Sequence, residues 1–153
     1  MHARTLFAAL ALATTTPASA QWQSLDYMAF ANPGEPVVVG IAFNPGMGCH
    51  VADLFIIGNE NILAAGVVVD SDIFPTVAAR NPLDDLIMMT LSAPALSALK
   101  TGQNAAVVTD QGTIMLTLRG STAAINSAYA GCMAQTNPTL RPLLPSNSRT
   151  VTF

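Results

Sequence analysis

The apolar residues of this chain come mostly in short alternating runs, each closed off by Gly, Pro or Asn. In 37–43, Val37, Val39, Ile41 and Phe43 fall on one side at period two, with Pro33, Gly34 and Pro36 before the run and Asn44-Pro45-Gly46 after it. Successive side chains leave a strand on opposite sides, so this alternation marks a strand with one buried face. Runs at 22–30, 51–57 and 65–71 read as further strands, and 86–91 as a buried strand. Gly58-Asn59-Glu60-Asn61 favours a tight turn, which makes 51–57 and 65–71 neighbours in an antiparallel meander. Between 75 and 85 no period holds, and Asn81-Pro82 places a loop or short turn there.

The clearest hairpin runs from Ala105 to Thr109, turns at Asp110-Gln111-Gly112 and returns from Thr113 to Leu118. Ile114, Leu116 and Leu118 share one face of it; Thr113, Met115 and Thr117 share the other. Two helices interrupt the strands. Ser92 is placed to cap the first, with Pro94 in its opening turn, Gly102 past its end, and Leu96 and Leu99 turned to the core. Ser121 or Thr122 caps the second, which runs to about Met133 and aligns Ile125, Ala128, Tyr129 and Cys132 on one face. About seven short strands and two helices predict a mainly β fold: an antiparallel β-sandwich-like single domain with a short helix and a packed C-terminal helix.

The chain begins with His2 and Arg4, an apolar run from Leu6 to Ala13 and the small-residue site Ala18-Ser19-Ala20. That order of features is a secretory signal peptide cut after Ala20. Its apolar run is far shorter than the ~20 residues of a spanning helix. The organisation predicted is therefore a signal peptide over 1–20, a β-rich globular domain over 21–135 and a flexible Pro-rich tail over 136–153, with Pro138, Pro142 and Pro145 in the tail. Thr150 to Phe153 is too short to claim as a further edge strand. The expected destination is the periplasm or the cell exterior, and no later segment of the sequence has the length and apolarity of a transmembrane span.

After residue 20 five basic residues (Arg80, Lys100, Arg119, Arg141, Arg149) face nine acidic ones, a net charge of −4. The basic residues are scattered, so the counterion release that drives nucleic-acid binding has no source, and anionic lipid has no basic patch to meet. Two cysteines remain, Cys49 and Cys132. In an exported domain such a pair reads as one disulfide, the alternative being two separate thiols. Closing a loop of about 84 residues stabilises a fold by ~4–5 kcal/mol. If Cys132 faces inward, the bond fastens the last helix to the sheet.

Chemistry-bearing residues are few. His50 is the single histidine after residue 20, so any Ser-His-Asp or Cys-His site runs through it, and no G-x-S-x-G elbow presents a serine. A hydrogen-bonded or exposed turn histidine is the plainer reading. Asp70 and Asp72 lie two apart, and Asp84 and Asp85 are adjacent; a glycosidase pair or a calcium site needs a cleft or a loop frame that the sequence does not display. Met28 and Met47 near His50 raise copper binding, but no M-x-x-M spacing appears. Met88, Met89 and Met115 read as core. No catalytic residue, metal ligand or cofactor is assigned.

The stretch Ala95-Leu96-Ser97-Ala98-Leu99-Lys100-Thr101-Gly102, a hairpin, and then Leu116-Thr117-Leu118-Arg119-Gly120-Ser121-Thr122-Ala123-Ala124-Ile125 resembles the end of the invasion-associated locus B family of exported α-proteobacterial proteins. In that family an LKxG segment likewise precedes a hairpin and an SLxGxxAA segment opens the last helix. The likeness covers roughly residues 95 to 133. It implies a small β-rich periplasmic or surface-associated domain without catalytic residues. The function expected is thus an exported non-enzymatic β-sandwich module that binds an unknown protein or an envelope component, with Trp22, Tyr27 and Phe30 either on an exposed edge or in the core. The alternatives are a periplasmic copper or calcium binder and a small hydrolase using His50 with Asp53 or with Asp70 and Asp72.

Overall fold

The computed structural model describes residues 22–34, 37–58, 64–76, 78–81 and 86–137. The expected signal peptide, most of the expected tail, and Asp84 and Asp85 lie outside them. The described chain is mainly β, with two antiparallel sheets and two α-helices in one small domain. Ten strands are present among the described residues, against about seven read from the pattern.

The larger sheet orders its strands β1-β2-β3-β4-β8-β7: β1 (Gln23–Leu25), β2 (Met28–Gly34), β3 (Val37–Phe43), β4 (Ala52–Ile57), β7 (Ala78–Asn81) and β8 (Leu86–Thr90). The smaller sheet is β10-β9-β5-β6, from β5 (Ala64–Val69), β6 (Asp72–Pro75), β9 (Asn104–Thr109) and β10 (Gly112–Thr117). Three expectations change here. The run 22–30 is a hairpin rather than one strand, because Asp26 takes a left-handed φ of 51° and reverses the chain between β1 and β2. Residues 59–61 of the expected turn lie outside the described residues, but β4 belongs to the larger sheet and β5 to the smaller, so the two are not paired neighbours. Turn-favouring residues specify a reversal; they do not specify which strand receives it. The third change is smaller: Gly112 pairs with Thr109, so the β9–β10 turn holds only Asp110 and Gln111.

Alternation along the strands sets the core. Val39 and Ile41 of β3, Leu54 and Ile56 of β4, and Ile87 and Met89 of β8 are buried on one side of the larger sheet. Val67 and Val69 of β5, Ala105 and Val107 of β9, and Leu116 of β10 face them from the smaller one. Each large side chain of this kind stabilises the fold by roughly 1.5–3 kcal/mol on leaving water. Trp22 joins the cluster, and its indole N–H donates to the Thr117 carbonyl at 2.8 Å, linking the two sheets at one edge. Met115, read as core, is 62% exposed because it lies on the outer side of β10.

Helix α1 (Ala93–Thr101) has the cap the sequence implies: the Ser92 hydroxyl accepts from the Ala95 N–H at 3.3 Å. Leu99 is fully buried and Leu96 half-buried against the core. Gly102 follows the helix because a Cβ there would meet Val69 and the Ala98 carbonyl. Helix α2 (Ser121–Thr136) runs three residues past the expected end at Met133. Its cap is not a hydroxyl. Gly120 occupies the cap position with φ of 87°, while the Ser121 hydroxyl donates to the Leu99 carbonyl at 2.8 Å and the Thr122 hydroxyl to the Lys100 carbonyl. The two hydroxyls thus satisfy carbonyls left free at the end of α1, joining the helices end to start.

Candidate functional site

The surface with the most chemistry lies where the β3–β4 connection meets α2. After β3, Pro45–Met47 form a 3-10 turn in which the Asn44 carbonyl accepts from Met47 at 3.1 Å and from Cys49 at 2.9 Å. Gly48 and Cys49 then both take left-handed φ values, 65° and 64°. A left-handed non-glycine residue costs on the order of 1 kcal/mol, so the packing around Cys49 must hold it there. The reversal buries Cys49 and leaves the next residue, His50, exposed beside it.

Cys132 is fully buried on α2, and its sulfur stands 2.10 Å from that of Cys49, at disulfide distance, with the α-carbons 6.0 Å apart. A second contact fixes the helix along its length. At Gly131 a Cβ would collide with the Asp26 carbonyl, so α2 lies directly on the β1–β2 turn. The Ser24 and Ser127 hydroxyls meet at 3.0 Å on the same side. Small residues at Ala124, Ala128 and Gly131 permit this approach.

Tyr129 of the expected inward face is 41% exposed; its ring packs edge-on to Phe43 with centroids 5.4 Å apart and planes 69° apart. Such a pair contributes roughly 0.5–1.5 kcal/mol beyond its burial. Phe43 is held in turn by its N–H, which donates to the Tyr27 carbonyl at 3.0 Å. Two clefts share Phe43 as a wall. The larger, about 440 Å³, is lined by Tyr27, Asn44, Asp53, Met88 and Gln135 together with the start of the 3-10 turn. The smaller, about 290 Å³, is lined by Cys49, His50, Leu96, Lys100, Ile125, Asn126 and Tyr129. Apolar walls carrying a few polar groups are the usual make-up of a small-molecule site.

The structure separates the residues considered for catalysis. His50 lines the smaller cleft and Asp53 the larger, where the Asp53 carboxylate accepts from the Thr90 hydroxyl at 2.7 Å. Asp70 and Asp72 belong to the other sheet. Asp70, with φ of 52°, accepts from the Gln103 N–H at 3.3 Å and the Asn104 N–H at 3.0 Å, latching the β5–β6 turn to β9. Among the described residues no three of His, Cys, Asp and Glu gather as a metal site. Of the methionines weighed for copper, Met47 is exposed and Met28 half-buried, while Met89 is fully buried and accepts from the Thr76 hydroxyl. Of the early aromatic residues, Trp22 is in the core and Tyr27 packs against it.

Sequence reasoning did not mark Phe43, Lys100, Asn126 or Tyr129 as parts of one site. Each carries a local role in a strand or helix, and only the long-range fold brings them together. The nearest sequence signal was Tyr129 on the same helical face as Cys132, three residues away. No helix among the described residues is long and apolar enough to cross a membrane. No protein-family model, curated protein or solved structure matches the chain.

Proposed function

We propose that this protein is an exported, non-enzymatic β-sandwich module of the bacterial envelope, and that it binds its partner at the two clefts that share Phe43, the smaller of them also walled by Tyr129. The observation that carries the reading is that Phe43 walls both clefts, while the half-exposed Tyr129 packed on it edge-on lines the smaller one. Exposed aromatic anchors beside packed walls are the features that dominate binding energies at recognition surfaces.

The signal-peptide pattern of residues 1–20 and the likeness of residues 95 to 133 to the invasion-associated locus B family support export and a place in the envelope. Export also supplies the oxidising compartment in which Cys49 and Cys132 would bond. The bond would fix the 3-10 turn against α2, and with it the geometry of both clefts. A rigid site loses less conformational freedom on binding, which favours affinity.

The test is direct. The precursor is expressed in a Gram-negative host, the periplasmic fraction is isolated, and a photo-crosslinking residue at position 129 is irradiated there. Processing after Ala20, together with a specific adduct that Phe43→Ala abolishes while leaving the melting transition cooperative, supports the reading. A cytoplasmic protein, or irradiation that yields no adduct above the level of a control position such as 115, contradicts it.

A further inference from the structure

The two clefts differ in charge. The larger contains the carboxylate of Asp53 and no cationic side chain. The smaller contains Lys100 and His50, and no Asp or Glu lines it among the described residues. That contrast is notable in a chain with only five basic residues after residue 20 against nine acidic ones.

Lys100 and Asn126 come from different helices, yet the helices are fastened to each other. The Thr122 hydroxyl donates to the Lys100 carbonyl and the Ser121 hydroxyl to the Leu99 carbonyl, so the end of α1 is fixed against the start of α2. Asn126 and Tyr129 are three apart on α2 and so share one rim. Residues bearing an ammonium, an imidazole, a side-chain amide and a phenol therefore line one cleft together with the apolar Leu96 and Ile125. All four groups can donate a hydrogen bond.

We infer that the smaller cleft is a carboxylate-binding site, which takes a small organic acid or the C-terminus of a peptide with its apolar body against Leu96 and Ile125. This deepens the binding-module reading and rests on it. Lys100 supplies the charge, Asn126 and Tyr129 orient the carboxylate, and the apolar lining selects for a hydrophobic body. The volume of about 290 Å³ lies just below the range of ordinary ligand pockets, roughly 300–1,000 Å³, which suits an acid with a short chain or one ring.

The test uses the protein from residue 21 onward, isotope-labelled for NMR and titrated with phenylacetate, hexanoate and the neutral phenylacetamide. A second arm compares N-acetyl-Phe-Phe with its C-terminal amide. The expected result is saturable shifts at Ile125, Asn126 and Tyr129 with the acids. The amides, and the acids with Lys100→Met, should bind about tenfold or more weakly, the scale of a lost charge-assisted hydrogen bond. Lys100→Arg should retain most of the affinity, and an unchanged spectrum elsewhere shows that each variant is folded. Preference between the two arms identifies the source of the carboxylate.

Equal binding of acid and amide overturns the carboxylate assignment and leaves the binding-module reading standing. Absence of any shift in this cleft up to about 10 mM ligand, far weaker than a useful affinity, also overturns it. The module reading then stands or falls on the crosslink at position 129.

Discussion

The β9–β10 hairpin and the corner around α2 are held together by opposite means. In the hairpin, Thr109 pairs with Gly112 across a two-residue turn, and every rung from there to Asn104 and Thr117 joins residues close in sequence. In the corner, the contacts join Cys49 to Cys132, Ser24 to Ser127 and Ser121 to Leu99, separations of 83, 103 and 22 residues. The hairpin can form early and from its own residues, whereas the corner needs nearly the whole domain in place. Both clefts belong to the corner. The proposed binding surface therefore depends on contacts between distant segments, the Cys49–Cys132 tie among them.

Four substitutions sharpen that contrast, taken from the largest effect down. The double change Cys49→Ser with Cys132→Ser removes the closure of the longest covalent loop and should cost about 4–5 kcal/mol in chemical denaturation. Hydrogen exchange should show the added opening concentrated in α2, with the β9–β10 amides protected almost as before; uniform loss would mean that the corner and hairpin are one unit. Gly131→Ala comes next, at about 1–3 kcal/mol of overpacking against Asp26. The sign decides here, since an exposed helix position would gain roughly 1 kcal/mol from the same change. Ser121→Ala leaves the Leu99 carbonyl without its partner and should cost about 1–2 kcal/mol, read from the urea midpoint. Met115→Thr, on the outer side of the hairpin, should stay within about 0.5 kcal/mol. A larger loss there would show that the hairpin's outer face is covered rather than free.

The same division separates what the residues announced from what they did not. Alternation in 37–43 and 105–118 gave strands and faces that the fold keeps, and Ser92, Pro94 and Gly102 bounded α1 at its observed ends. The assignment of strands to sheets was not readable, because β4 and β5 look like hairpin partners locally while β8 and β9 are the strands that pair with them. Ser121 and Thr122 misled for a related reason. Both are good capping residues in isolation, but the open carbonyls of α1 stand close enough to accept hydrogen bonds from their hydroxyls. The site was least legible of all: Phe43 reads as one face of a strand, Lys100 as one of the scattered basic residues and Tyr129 as an inward helix residue. They line one cleft only once three distant segments meet.

The most direct test of the account is peptide mapping of the protein recovered from the periplasmic fraction of a Gram-negative host expressing the full sequence, alkylated without reduction and digested. A single fragment joining the Cys49 and Cys132 peptides, with neither sulfur alkylated, is the result predicted. Quantitative alkylation of both cysteines in the folded, exported protein would contradict it, and with it the claim that a covalent tie shapes the binding corner.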